Sequence, residues 1–250
     1  KFEFRMLGSS NSIACANIML NAAVAESLKI YADRLEGAED FETALHDMIK
    51  KTIKDHKRII FNGNGYDDAW IKEATEQRGL LNLRTTPDAM PTLLEKKNVD
   101  MLTGLKIFTK AELESRYEIM MENYVKTVTI EAQTMLDMTR KEILPAVAGY
   151  TKELTETLAA KRAILPSLPA KYETGTITKL SSLLDQIDAA ADELEKTTLQ
   201  IKAIDSVTES AFQIRDAMLP RMAALRVVCD QVGTPTYTLD LARLLVDMIG

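Results

Sequence analysis

The sequence predicts a mainly α-helical protein, a long antiparallel helix bundle with one short β-strand at its N-terminal end. Three segments, residues 109–165, 176–201 and 207–232, carry apolar side chains at steps of three and four. That spacing places the side chains on one stripe of an α-helix, and stripes this long must be buried against partner helices. Residues 1–6 instead alternate polar and apolar at period two, which is typical of a β-strand.

The composition is that of an ordinary folded protein and argues against several classes. The 250 residues are 46% hydrophobic and 27% charged, and a net charge of −6 argues against binding to nucleic acid, which needs a basic face. No apolar run approaches the roughly 18 residues of a membrane span. The two cysteines make no disulfide framework, so we expect a reduced, cytoplasmic compartment. Because the chain opens inside the strand pattern and without Met, we expect a piece of a longer protein.

The first 53 residues are predicted to form the strand and two helices. Ser10 or Asn11 is expected to cap the first helix, which runs to about residue 35 and ends at Gly37. This helix is apolar on almost every side, so we expect it to be deeply buried. Asp40 is expected to open a second, shorter helix that runs to about residue 53.

Residues 54–108 are predicted to connect this part to the bundle. The run Asn-Gly-Asn-Gly at residues 62–65 is typical of a tight turn, and the alternative is a loop that binds an anion through its amides. A surface helix is predicted over residues 66–78, stopped by Gly79. Two short helices follow, the first starting at Thr86 and Pro87, a capping hydroxyl with proline in the first turn.

Residues 109–250 are predicted to form the bundle, and its helices have clear boundaries. Thr109 and Glu112 match a capping box at the start of the first long helix. Pro145 lies inside that helix and is expected to kink it. Ser206 and Glu209 match a second capping box, after a tight turn that reverses the chain.

The second long helix carries the most regular pattern, a seam of apolar positions at alternating steps of three and four. Lys179 and Glu195 lie off this seam, so we expect their replacement to cost little stability. A further short helix is predicted over residues 239–249. The seam consists of Ile177, Leu180, Leu184, Ile187, Ala191, Leu194, Thr198 and Ile201.

The exposed face of the predicted strand carries the best candidates for chemistry. Glu3 and Arg5 lie two residues apart and hence side by side on one face. A carboxylate can bind a hard cation such as Mg²⁺ or Mn²⁺, and a guanidinium can hold a phosphate or carboxylate in a bidentate fork. The alternative is a solvated face of alternating charge. His46 and His56 are expected to be surface residues rather than a metal-binding pair.

Several blocks of the sequence are distinctive. They are the strand with the Gly-Ser-Ser-Asn-Ser run and Ala-rich helix after it, and residues 58–66, 83–91 and 115–124. These blocks resemble the type III glutamine synthetases of bacteria, which carry a long helical C-terminal extension. The resemblance implies that the chain is the C-terminal part of such a protein. Residues 1–53 would be a remnant of the catalytic α+β domain, 54–108 a connecting region and 109–250 the helical extension.

The resemblance also implies a function. Glutamine synthetases join glutamate and ammonia to glutamine through γ-glutamyl phosphate, with ATP as co-substrate and Mg²⁺ or Mn²⁺ as cofactor. The resemblance implies that Glu3 binds a catalytic cation and that Arg5 contacts glutamate and the transferred phosphoryl group. In the family, the ATP and ammonium sites precede this strand, so the chain alone is expected to be inactive. A ring-shaped homo-oligomer in the cytoplasm is implied as well.

The end of the chain departs from the family pattern. The family usually finishes with a Trp-Pro-Phe-Pro-Thr-Tyr-like stretch, of which this sequence keeps only Pro235, Thr236 and Tyr237. The competing hypothesis is a non-enzymatic helical scaffold or oligomerisation module in which the first strand is incidental.

Overall fold

The computed structural model describes residues 12–231, and every regular element in this range is helical. The prediction of a mainly α-helical protein is therefore confirmed. The strand predicted over residues 1–6 and the helix predicted over residues 239–249 lie outside the described residues. The chain divides into two compact units, Lys1–Tyr117 and Glu118–Gly250. The predicted boundaries after residues 53 and 108 stay predictions.

Two helices open the first unit, α1 (Ile13–Leu35) and α2 (Phe41–Asp55). The hydroxyl of Ser12 accepts a hydrogen bond from the amide of Ala14, so Ser12 caps α1 in place of the predicted Ser10 or Asn11. All three residues carry the short polar side chains that favour a cap, and the sequence pattern does not separate neighbouring candidates.

The connection between these helices follows the prediction. Gly37 adopts a φ of +77°, a conformation that costs glycine little and that ends α1. The carboxylate of Asp40 then accepts hydrogen bonds from both the amide and the hydroxyl of Thr43, and it caps α2.

Helix α1 is much less buried than its composition predicts. Of its residues only Ala22 is buried, while the side chains of Ile13 and Leu28 are 69% and 61% exposed. The expectation of a deeply buried helix is wrong for the described part of the chain. A helix that is apolar on every side needs partners on every side, and among the described elements α1 packs mainly on α2 and on the helix Lys96–Gly104.

Short elements complete the first unit. They are a 3₁₀ turn (Lys57–Ile59), α3 (Asp68–Lys72) running into a π-helical turn (Glu73–Gln77), α4 (Thr86–Ala89), a second 3₁₀ turn (Met90–Leu94) and α5 (Lys96–Gly104). Thr85 caps α4, one residue before the predicted Thr86. The core of this unit is built on Ala22, Leu102 and Leu113, and Leu113 lies near the start of the next helix, α6 (Lys110–Met138).

The predicted first long helix is present, with an irregularity in its middle. Helix α6 is followed directly by a π-helical turn (Thr139–Ile143) and by α7 (Leu144–Ile164). The capping box at its start is confirmed. The amide of Thr109 donates to the carboxylate of Glu112 at 2.7 Å, and the amide of Glu112 donates to the hydroxyl of Thr109 at 3.3 Å.

The remaining helices fold back along the first. Helix α8 (Lys171–Lys202) starts earlier than the predicted residue 176, and it is followed by α9 (Val207–Gln213), a π-helical turn (Ile214–Met218) and α10 (Leu219–Asp230). Ser206 caps α9 by accepting from the amide of Glu209, as predicted. Helix α8 packs on α7 and on α10, so it lies at the centre of the second unit.

Both π-helical turns of this unit stand just before a proline. In an α-helix, a proline ring clashes with the carbonyl of the residue four positions earlier. For Pro145 that residue is Lys141, and for Pro220 it is Asp216. Each of these carbonyls lies within a π-helical turn, where the hydrogen bonds reach back five residues instead of four. The kink expected at Pro145 therefore takes the form of a π-bulge that accommodates the ring.

The seam of α8 contributes to the second core, with one shift in register. Ile187, Ala191 and Leu194 are completely buried. Leu183 is 4% exposed whereas the predicted seam residue Leu184 is only partly buried. A helix that packs between two partner helices buries a stripe wider than a single line of side chains. Residues next to the predicted seam positions are therefore buried as well.

Candidate functional site

The residues that the sequence singled out for chemistry are only partly described. Glu3 and Arg5 lie outside residues 12–231, so their placement stays a prediction. His46 and His56 are both exposed, as predicted. The described part of the chain contains no group of three or more His, Cys, Asp or Glu side chains that could hold a metal ion. None of the helices in residues 12–231 is long and apolar enough to cross a membrane.

Among the described residues of the first unit, Arg78 joins several parts of the chain, and the sequence analysis did not single it out. Its Nη1 donates to the carbonyl oxygens of Arg58 and Ile60, at 3.1 and 2.8 Å. Its Nε donates to Oε1 of Glu73 at 2.8 Å, and its Nη2 lies 2.6 Å from the same oxygen. The guanidinium also lies over the ring of Trp70, 4.9 Å from the ring centre.

The Asn-Gly-Asn-Gly loop is built onto this arginine. The ring of Phe61 stacks on that of Trp70, with centres 3.7 Å apart and planes at 14°. A side chain at Gly63 would place its Cβ only 2.7 Å from the Phe61 ring, so the loop passes directly over that ring. The side-chain oxygen of Asn64 accepts from the amide of Tyr66, which closes the predicted turn.

This arrangement explains what the loop can and cannot do. The donors of Arg78 are directed at two backbone carbonyls and one carboxylate of its own unit, so the guanidinium holds the loop in place and is not presented to an anion. The loop is a fixed, exposed structure that carries Tyr66 at its tip, where the tyrosine is 83% exposed.

A groove of about 580 Å³ lies between α1 and the segment that follows α5. Its walls are mostly apolar and come from α1, Leu105 and Ile107, while the side chains of Asn17 and Asn21 add polar groups one helical turn apart. No titratable group lines the groove, so it offers packing surface and amide hydrogen bonds rather than acid–base chemistry.

In the second unit, charged side chains join the helices. Both oxygens of the Glu195 carboxylate on α8 accept from the guanidinium of Arg140 at 2.8 Å, and Asp192 accepts from the same guanidinium at 2.9 Å. The hydrogen bond from Arg140 lowers the pKa of Glu195. Lys161 on α7 pairs with the buried Glu173 on α8. Sequence alone gave no sign of these pairs, because the same charges match a solvated helix face.

The two cysteines lie in different surroundings. Burial raises the pKa of the Cys229 thiol to about 11, so it stays protonated near neutral pH and is a poor nucleophile. Cys15 is exposed on α1 and has no metal-binding cluster around it among the described residues.

The helical region corresponds to a known class of domain. Residues 44–162, from α2 to the last turn of α7, match the family described as the glutamine synthetase C-terminal domain. Known relatives extend the match to both sides. A glutamine synthetase from Butyrivibrio fibrisolvens is 34% identical over 193 residues, 77% of this chain and 27% of the relative.

Two further relatives cover most of the chain. A type-3 glutamine synthetase from Dictyostelium discoideum is 31% identical over 93% of the chain and 32% of its own length. A glutamine synthetase from Bacteroides fragilis is 28% identical over 90% of the chain and 32% of its own length. The chain belongs to the glutamine synthetase family, and the type III resemblance is confirmed. It spans about a third or less of the length of these relatives.

Proposed function

We propose that this chain is the C-terminal part of a type III glutamine synthetase, an ATP-dependent ligase that joins glutamate and ammonia through γ-glutamyl phosphate. The observation that carries the proposal is the alignment with the Dictyostelium discoideum type-3 enzyme over 93% of the chain. Agreement over nearly the whole chain is far more specific than the Glu-x-Arg pair taken alone.

The proposed chemistry of this chain rests on Glu3 and Arg5. The carboxylate of Glu3 supplies one oxygen ligand to a divalent cation, Mg²⁺ or Mn²⁺. Such a cation, when bound, offsets negative charge on the phosphoryl group that passes from ATP to glutamate. The guanidinium of Arg5 holds glutamate and the phosphoryl oxygens through paired hydrogen bonds, and so orients them for transfer.

The helical part described here has a supporting role in this proposal. In this proposal, the further metal ligands and the ATP and ammonium sites lie in parts of the enzyme outside residues 12–231, a range without a candidate metal cluster. We propose that the bundle stabilises the catalytic part and contributes to a homo-oligomer in the cytoplasm. A ring-shaped assembly is part of the same proposal.

The test replaces Glu3 in a full-length enzyme that contains this chain. Glu3→Gln keeps the size of the side chain and removes its charge, so glutamine formation is expected to fall by roughly two orders of magnitude or more while folding survives. The metal concentration needed for half-maximal activity is expected to rise. Glu39→Gln, a change at an exposed acidic residue of the first unit, is the matched control and should leave both values unchanged. Near-normal turnover of Glu3→Gln would assign Glu3 to a solvated face.

The competing function is a non-enzymatic helical scaffold or oligomerisation module. The observation in its favour is that every regular element in residues 12–231 is helical. The two hypotheses differ in the full-length protein, because the scaffold should neither form glutamine nor respond to Glu3→Gln. The 250-residue chain alone is expected to be inactive in either case, and glutamine formation by it would contradict both.

A further inference from the structure

Helix α1 presents a continuous, mostly apolar surface that the described elements leave open. Ile13, Val24 and Leu28 stand on one stripe of this helix, and their side chains are 69%, 52% and 61% exposed. The groove between α1 and the segment after α5 lies directly beside this stripe, since Asn17 and Asn21 stand on the stripe and also line the groove. The stripe and the groove together are named the α1 surface below.

This surface sets α1 apart from the central helix of the second unit. Helix α1 buries only Ala22 among its 23 residues, whereas α8 buries nine of its 32. A helix that is apolar on nearly every side is normally found inside a domain, where partners surround it. Contiguous apolar surface that stays exposed therefore marks a place where a further part of a protein binds.

The family relationship indicates what covers the α1 surface. The match takes up only 27–32% of the length of each relative, so about two-thirds or more of each polypeptide lies outside it. A further part of the same polypeptide is held close to the surface and docks at a high effective concentration. The groove carries no titratable group, so it offers no electrostatic steering to a separate molecule.

We propose that the α1 surface is the docking site for the rest of the full-length polypeptide, which encloses Val24, Leu28 and the groove within one domain. This inference rests on the proposed function in one respect, that the chain is the C-terminal part of a longer enzyme. Asn17 and Asn21 lie one helical turn apart in the groove, and amides that become buried need hydrogen-bond partners. The docked part therefore presents polar groups to these two amides and apolar side chains to the rest of the surface.

The test compares access to Val24 in the 250-residue chain and in a full-length enzyme that contains it. Val24→Cys is a small change at a half-exposed position, and peptide mapping separates the new thiol from Cys15 and Cys229. Its alkylation is expected to be roughly tenfold or more slower in the full-length enzyme, because only an opening of the domain exposes the thiol. Glu76→Cys, at an exposed position of the π-helical turn after α3, is the matched control and should react equally fast in both proteins.

A second variant makes the test independent of thiol chemistry. Leu28→Ser should leave the urea midpoint of the 250-residue chain unchanged, because the side chain is exposed there. The same change should lower the thermal midpoint of the full-length enzyme by several degrees, because it places a hydroxyl in a covered apolar surface. Glu76→Ser should leave both midpoints unchanged.

Three results would overturn the proposal. Equal alkylation of Val24→Cys in both proteins would show that the surface stays open in the full-length enzyme. Slow alkylation already in the 250-residue chain would show that the chain covers the surface by itself. Protection that disappears when the full-length oligomer is diluted into separate subunits would show that a second copy covers it instead.

Glutamine formation by the same full-length enzyme separates this inference from the proposed function. An enzyme that forms glutamine but leaves Val24→Cys unprotected would refute the docking and leave the ligase function standing. Protection of Val24→Cys in a protein that forms no glutamine would refute the ligase function and leave the docking standing.

Discussion

Arg140 and Glu195, 55 residues apart in the chain, form a two-pronged ion pair in which each carboxylate oxygen lies 2.8 Å from a guanidinium nitrogen. The arginine stands on the π-helical turn before Pro145 and the glutamate on α8. The pair therefore fixes the irregular middle of the first long helix against the central helix of the bundle. Glu195 lies off the buried seam, as expected, and the low cost expected for its replacement stays a prediction.

Because of this ion pair, we expect the free energy of unfolding to depend on pH in the acidic range. The hydrogen bond from Arg140 lowers the pKa of Glu195 from its ordinary value of 4.5, so the folded state takes up a proton less readily than the unfolded state. The stabilising contribution is complete above about pH 4.5 and is lost as the pH falls through the lowered value. We expect Arg140→Met to weaken this part of the acid dependence of the urea midpoint.

A control for this prediction lies one residue away. Lys141 pairs with Asp137 one turn earlier on the same helix, and both side chains are largely exposed. Exposed pairs of this kind contribute little because solvent screens them. Lys141→Met should therefore keep the acid dependence of the parent chain. If Arg140→Met also keeps the acid dependence of the parent chain, solvent screens the Arg140–Glu195 pair as strongly as it screens the Lys141–Asp137 pair.

The seam of α8 makes a graded prediction for stability. Ile187 is completely buried, so Ile187→Ala should cost about 2–5 kcal/mol in the free energy of unfolding. Leu184 is only partly buried, and Leu184→Ala should cost less. Lys179 is exposed, and Lys179→Ala should change the free energy by no more than about 0.5 kcal/mol. Urea denaturation of the three variants measures this order, and equal losses in all three would contradict the assignment of the core.

Local patterns predicted the helices and their ends well. The seam on α8, the capping box at Thr109 and Glu112, and the stop at Gly37 all depend on residues a few positions apart. Their physical causes, burial of one stripe and satisfaction of the first amides of a helix, act over one or two turns. The sequence alone therefore contains enough information to place them.

Features that depend on distant parts of the chain were not predictable in this way. The exposure of α1 depends on which other helices pack against it. Its composition shows only that an apolar helix needs such partners. The bonding of Arg78 to the carbonyls of Arg58 and Ile60 depends on a loop fold that no periodic pattern encodes. For the candidate site, the roles of Glu3 and Arg5 stay predictions that rest on family resemblance, because alternating charge on a strand also matches a solvated face.

The loop beside Trp70 permits a matched glycine test. Gly63→Ala would place a methyl group 2.7 Å from the Phe61 ring, which cannot move away freely because it stacks on Trp70. Gly65→Ala meets no atom within 4 Å. Trp70 is the sole tryptophan of the chain, so its fluorescence reports on this stack directly. We expect an altered emission maximum in Gly63→Ala and an unchanged one in Gly65→Ala. The same spectrum in both variants would mean that the loop does not lie over the ring.

Replacing Arg78 by lysine should release the same loop from its anchor. The guanidinium spans a carboxylate and two backbone carbonyls and lies over Trp70, whereas a lysine ammonium is a single point that cannot reach all of them. We expect Arg78→Lys to speed hydrogen exchange in residues 58–66 and to alter the Trp70 emission, with little change in the exchange of α8. Arg58→Lys is the control, because the Arg58 guanidinium reaches carbonyl oxygens only at 3.4 and 3.5 Å, at the limit of a hydrogen bond. If both lysine variants loosen the loop equally, the anchor is shared between the two arginines and does not reside in Arg78.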